Sequence, residues 1–196
     1  MEIKSSIRKE MLALRNAMPR EERILYSSKI KESVLSMDEV CAAKTVLCFA
    51  GYGSEVCTLE LVQEFLRLGK KVFLPRVNGE EMDFYCIESP DDLREGYKGI
   101  PEPKETCKEV FDANGSKNNV STVMFMPGAV FAFDGSRIGY GKGYYDRYLE
   151  KYDIMNRIAL CFSFQLLEHI PRDAHDKKAS IIVTEKGITE CRKVLF

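Results

Sequence analysis

Five short, nearly unbroken apolar runs stand along this chain, at residues 45–49 (TVLCF), 71–74 (KVFL), 121–125 (STVMF), 157–161 (RIALC) and 180–184 (SIIVT). Runs without polar alternation belong to strands covered on both faces, as in parallel sheets sandwiched between helices. Between the first two runs, Thr58 stands where an N-cap is needed, residues 59–68 have helical character, and Gly69 supplies a C-terminal stop. That β-α-β unit predicts parallel strands joined by a right-handed crossover, the second strand ending at Pro75. Residues 83–87 are a further candidate strand. The expected fold class is α/β: a single domain over residues 1–196, built as three layers, α/β/α, around a mostly parallel sheet. In such sheets ligands sit at the carboxyl ends of the strands.

Two helices precede the first strand. Over residues 4–17, Ile7, Met11 and Leu14 recur at spacings of four and three, one face of a helix. Pro19 breaks this pattern and can open a second helix to about residue 37, with Glu21 and Glu22 in its first turn and Ile24, Ile30 and Val34 inward. Residues 88–119 are rich in charge, Gly, Pro and Asn and read mostly as loop with short strands. Residues 135–143 form a glycine-rich loop, and 144–152 continue as a helix.

Charge and cysteine usage narrow the function. Lys plus Arg number 29 and Asp plus Glu 30, so a net charge of -1 argues against bulk electrostatic binding of nucleic acid or an anionic membrane. No apolar run approaches the ~20 residues that cross a bilayer. The first nine residues lack the apolar core of a secretory signal. The 7 cysteines are scattered with no Cys-x-x-Cys pair, the usage of a reduced cytoplasmic protein. A monomer is the default expectation.

The chemistry concentrates in residues 126–146, MPGAVFAFDGSRIGYGKGYYD, which follow a strand and lead into a helix. Gly139, Gly141 and Gly143 alternate there, so backbone N–H groups can approach a phosphate closely while Lys142 adds a full positive charge. Asp146 falls one turn into the helix, placed to hold a hard cation bridging phosphate oxygens. The segment is neither a Walker loop nor a dinucleotide fingerprint, since Gly143 follows Lys142 and the glycine spacing is G-x-G-x-G. On spacing alone, a phosphate site and a tight structural turn stand level.

The residues themselves go further. Pro127-Gly128, Phe133-Asp134 and the string from Gly135 through Arg137, Gly139, Gly141, Gly143, Tyr144 and Tyr145 to Asp146 resemble the signature of the 5-formyltetrahydrofolate cyclo-ligase family. Lys4 and Arg8 match that family's Lys-x-x-x-Arg, and residues four apart share a helix face. Residues 55–58 (EVCT), 74–76 (LPR), 99–103 (GIPEP), His175-Asp176 and 184–187 (TEKG) match further family elements, so the resemblance spans essentially the whole chain. Two departures are one extra residue before Phe133-Asp134 and Cys57, where many relatives are acidic.

The resemblance implies a fold similar to the NagB/RpiA/CoA transferase-like fold. It also implies ATP- and Mg²⁺-dependent closure of 5-formyltetrahydrofolate to 5,10-methenyltetrahydrofolate through a phosphorylated formyl intermediate. By resemblance, Lys4, Arg8 and residues Arg137, Ile138, Gly139, Tyr140, Gly141, Lys142, Gly143, Tyr144 and Tyr145 bind ATP. Lys142 and Arg8 act in catalysis, Ala50, Glu55, Lys142 and Tyr144 line the folate pocket, and Asp146 and Asp176 ligate Mg²⁺. Taken singly, Lys4 and Arg8 also fit a solvated helix face, Asp146 a first-turn acid, Asp176 a turn cap, Glu55 a surface carboxylate, and Tyr144 or Tyr145 a core position. A folate- or nucleotide-binding relative without chemistry, and a kinase-like ligase on a similar scaffold, are the alternatives.

Overall fold

The computed structural model describes residues 2–96, 99–112 and 121–191. In chain order the elements are α1 (Glu2–Ala17), α2 (Arg20–Leu35), α3 (Asp38–Ala42), β1 (Thr45–Leu47), α4 (Leu59–Arg67), β2 (Lys71–Asn78), β3 (Glu81–Ile87), β4 (Leu93–Glu95) and β5 (Pro101–Pro103). They continue with β6 (Thr122–Met126), β7 (Val130–Ala132), β8 (Arg137–Ile138), α5 (Tyr144–Lys151), β9 (Asn156–Leu160), β10 (Leu166–Leu167), β11 (Ile181–Thr184) and β12 (Gly187–Glu190).

The five apolar runs become the five central strands of a seven-stranded sheet ordered β12-β11-β9-β6-β1-β2-β3. The inner five are parallel, and β12 and β3 close the edges antiparallel. Side chains alternate across this sheet as the pleat requires. Val46, Val72, Val123, Phe125, Ile158 and Val183 face α2, α3 and α4, where Phe65 stacks on Phe125 at 5.6 Å between ring centroids. Leu47, Phe73, Met124 and Met126 face the other way, onto Tyr148 and Leu149 of α5. Three layers result, as the continuous apolar runs require.

A second, three-stranded sheet, β10-β7-β8, is built from the glycine-rich motif itself. Residues 130–138 form a hairpin, with Val130 opposite Ile138 and Phe131 opposite Arg137, so the start of the expected 135–143 loop is a short strand. Helix α1 packs on this hairpin, burying Met11 against Ala129, Val130 and Ile138.

That placement corrects the expected inward face of α1. Leu14 is 60% exposed, and the position that turns inward after Met11 is Arg15. On α2, Ile30 and Val34 are buried as expected, but Ile24 lies exposed and Ser27 takes the inward place. Pro75 does not end its strand either. Phe73 accepts from the Cys48 N–H, so alternation turns Pro75 to the side that β1 has vacated, where a missing N–H costs no ladder bond. Thr58 makes no capping bond to α4; its hydroxyl donates to the Phe49 carbonyl and accepts from the Gly51 N–H at 2.8 Å, tying the helix start to the end of β1. Of the polar stretch 88–119, residues 93–95 and 101–103 pair as β4 and β5, while 113–119 lie outside the described residues.

Candidate active site

Four segments remote in sequence meet beyond the carboxyl ends of β1, β6 and β9: the inward face of α1, the loop 48–58, the motif 127–146, and residues 173–178. A shallow cleft there is lined by Phe49 and Glu55 after β1, Pro127 and Gly128 after β6, and Leu160 at the end of β9.

Helix α1 delivers its cations along one stripe. Lys4 Nζ reaches Asp173 at 2.8 Å and Asp176 at 2.5 Å. Partial burial acts to lower the Lys4 ammonium, but both carboxylates outweigh it and raise it. One turn on, Arg8 Nε donates to the Gly139 carbonyl at 2.7 Å. Gly141, at φ +93°, turns its bare Cα toward the Arg8 guanidinium, a conformation that favours glycine. Gly139 is required for a different reason: a Cβ there would lie 2.8 Å from Arg137 Nη1.

Arg137 is a buried cation, 7% exposed, under this loop. Its Nη2 pairs with Asp146 at 2.9 Å and its Nη1 donates to the Pro127 carbonyl at 3.3 Å. Asp146 also accepts from the Lys177 N–H at 3.1 Å, which brings it beside Asp176 although thirty residues separate them in the chain. The two expected metal ligands are therefore neighbours, each holding a cationic side chain. Among the described residues no group of three or more His, Cys, Asp or Glu could hold a metal ion by itself. Two neighbouring carboxylates do fit Mg²⁺, which binds through one or two carboxylates plus substrate oxygens and water.

On the other flank, the Tyr140 hydroxyl donates to Glu55, whose second oxygen accepts from the Tyr52 N–H at 2.9 Å. Burial pushes the Glu55 carboxyl up, against the lowering influence of Tyr140, Tyr52 and Arg15. Burial, then Glu55, raise the Tyr140 phenol. Ala50 is buried at the start of the same loop.

The remaining expected residues divide. Lys142 is exposed, and its side chain makes no bond or ion pair among the described residues. The Tyr144 hydroxyl donates to the Gly79 carbonyl in the β2–β3 turn at 3.2 Å. Tyr145 is the inward one of the pair, its buried hydroxyl unpartnered among the described residues. Ile138 is a core residue beneath α1, so only its main chain is available to a ligand.

Sequence reasoning missed Arg15, Ser54 and Gln165. Arg15 Nη1 donates to the Tyr140 hydroxyl at 2.7 Å and its Nε to Ser54 Oγ at 3.1 Å. Gln165 Nε2 donates to the Gly128 and Ala129 carbonyls at 3.2 and 2.9 Å, fixing the turn after β6. The signal for Arg15 was present: it lies seven residues beyond Arg8, on the same helical stripe.

Loops from several parallel strands converge on one cleft that holds Arg15 and Glu55, the place where α/β enzymes bind their ligands. The chain belongs to the 5-formyltetrahydrofolate cyclo-ligase family, whose family model matches residues 1–185, and it is a ligase by that membership. The 5-formyltetrahydrofolate cyclo-ligase of Mus musculus is 27% identical over 193 residues, covering 93% of each chain. A probable 5-formyltetrahydrofolate cyclo-ligase of Schizosaccharomyces pombe is 29% identical over 83% of this chain and 85% of its own. The solution structure of Aquifex aeolicus 5,10-methenyltetrahydrofolate synthetase superposes with a TM-score of 0.85 at 34% identity, over 99% of this chain and 95% of its own.

Proposed function

We propose that this protein closes 5-formyltetrahydrofolate to 5,10-methenyltetrahydrofolate, hydrolysing ATP to ADP and phosphate. The formyl oxygen attacks the terminal phosphorus, forming a new P–O bond as the bond to ADP breaks. The neighbouring folate nitrogen then attacks the activated carbon, and phosphate departs with the former formyl oxygen. Phosphoryl transfer of this kind asks chiefly for positioning and charge neutralisation.

The observation that carries this reading is the convergence of Arg8 and Arg137 on the loop at 139–143, with Arg137 paired to Asp146 and Lys4 to Asp176. Lys4 and Arg8 bind the triphosphate, exchanging Asp176 and the Gly139 carbonyl for phosphate oxygens. Main-chain N–H groups between Gly139 and Tyr145 complete that grip. Asp146 and Asp176 hold Mg²⁺, which when bound neutralises phosphate charge. Lys142, without a partner among the described residues, reaches the transferring phosphoryl group and formyl oxygen, where negative charge develops. Glu55 accepts hydrogen bonds from pterin N–H groups, with Ala50 and Tyr144 bounding the same pocket. The protein acts as a single-domain monomer. It works in the cytoplasm, consistent with its seven free cysteines.

The test is formation of the methenyl chromophore from 5-formyltetrahydrofolate, ATP and Mg²⁺ by wild type and Lys142→Ala. Loss of turnover in the variant, with unchanged thermal unfolding, is the expected result. Normal turnover would remove Lys142 from the mechanism.

A further inference from the structure

Arg15 is a buried charge with no carboxylate of its own. It is 6% exposed, and its three acceptors are all neutral: Ser54 Oγ, the Tyr140 hydroxyl and, at 3.4 Å, the Gly128 carbonyl. Burying a cation this way is costly, and an apolar side chain would continue the stripe that Met11 begins on the hairpin. The stability of the α1 packing therefore does not explain an arginine at this position.

The direction of the hydrogen bonds does. A guanidinium only donates, so the Tyr140 oxygen must accept from Arg15. Its single proton then goes to Glu55, the nearer of its two acceptors, the Gly128 carbonyl lying 3.4 Å away. With the Tyr52 N–H on the other oxygen, both ends of the Glu55 carboxylate are oriented. Arg15 itself is steadied from behind, because Ser54 donates onward to Asn16 Oδ1 at 2.5 Å. The Tyr140 ring, 42% exposed, lies under the Arg15 guanidinium at 5.5 Å from its centroid. The main chain of Tyr140 belongs to the loop that Arg8 grips, while its side chain belongs to the pocket around Glu55.

We propose that Arg15 is a positioning residue for the folate pocket, holding the Tyr140 hydroxyl against Glu55 so that this carboxylate meets pterin N–H groups in one fixed orientation. Tyr140 thereby serves the folate through its side chain, not the nucleotide. This rests on the reading of Glu55 as the folate carboxylate.

The experiment is steady-state kinetics by chromophore formation for Arg15→Gln, Tyr140→Phe and the double variant, varying each substrate with the other saturating. Each single variant is expected to raise KM for the folate about tenfold and to leave KM for ATP within about twofold. The double variant is expected to be no worse than the worse single, because both act through one chain of bonds. A pH profile supplies a readout that general loosening would not move. The groups facing Glu55 are Arg15 from α1, Tyr140 from the motif loop, the Tyr52 N–H and Tyr145 from α5. Tyr140 and Arg15 both lower the Glu55 pKa, so removing either shifts the acid limb of kcat/KM for the folate to higher pH. Multiplicative effects in the double variant, equal changes in both KM values, or lowered thermal stability with unchanged folate kinetics would each overturn the proposal. Should Arg15→Gln fail to fold, Tyr140→Phe decides alone, since it keeps the ring and removes only the hydroxyl. A wild-type protein forming no chromophore would instead sink the folate reading beneath it.

Discussion

Asp146→Asn separates the structural duty of Asp146 from its duty toward a metal. The substitution is isosteric, so no cavity opens, and the amide oxygen can still accept from the Lys177 N–H and Arg137 Nη2. What disappears is the negative charge opposite a guanidinium whose side chain is 5% exposed. Arg137 cannot move to water, because Gly139 packs on its Nη1 and Pro127 accepts from the same nitrogen. Removing one partner of a buried pair costs roughly 3–5 kcal/mol, and retaining a neutral hydrogen bond recovers about 1 kcal/mol of that. The expected loss is thus about 2–4 kcal/mol, or a fall of roughly 5–15 °C in Tm for a chain of this size. Urea unfolding without nucleotide or Mg²⁺ measures it, and an unchanged m-value would show that compactness is preserved. A loss under about 0.5 kcal/mol, the range of an ordinary surface change, would refute the reasoning. Asp146 would then be an exposed acid with no structural load.

Three further outcomes follow from the same geometry. Gly139→Ala places a Cβ 2.8 Å from Arg137 Nη1, so about 1–3 kcal/mol of stability should be lost to overpacking; a neutral calorimetric result would mean that Arg137 can swing aside. Partial burial acts to raise the Asp134 carboxyl, but Lys178 and the N–H and hydroxyl of Ser136 prevail and hold it down at about 2. Because its folded value lies below the ordinary 3.8, this group contributes stability above about pH 4 that is lost as pH falls through 2. After allowance for solvent screening that contribution is about 1 kcal/mol, so Asp134→Asn should be destabilised by that amount at neutral pH, with the gap closing in acid. Lys142→Ala should unfold within about 0.5 kcal/mol of wild type, since its side chain is exposed; a larger loss on thermal unfolding would assign it a packing role.

The central sheet was legible because a strand buried on both faces needs a nearly unbroken apolar run, and each of its five parallel strands has one. The second sheet was not. Strand β8 lies within residues 135–143, which read as a glycine-rich loop, and β7 is only three residues long, so the pairing of Val130 with Ile138 leaves no pattern in sequence. The inward face of α1 was misjudged for a related reason. That helix lies on a narrow hairpin rather than on the main sheet, so its buried stripe is narrow and polar, and Arg15 replaces Leu14. Edge strand β12 carries no apolar run because its burial alternates with exposure. At the site, the cyclo-ligase resemblance named Lys4, Arg8, Arg137, Asp146 and Asp176, and the fold brings these residues into one neighbourhood. The resemblance was silent about Lys177, which holds Asp146, and about Gln165 and Ser54, which fix the 128–129 turn and Arg15, since these act through main chain or neutral contacts that leave no pattern in sequence.

The most direct measurement is the initial rate of methenyl chromophore formation from 5-formyltetrahydrofolate with ATP present and with ATP omitted. Turnover only in the complete mixture, with one ADP released per ring closed, is what a triphosphate held by Lys4, Arg8 and the 139–143 loop requires. Ring closure at the same rate without nucleotide, or ADP release that does not track it, would contradict the assignment of that site.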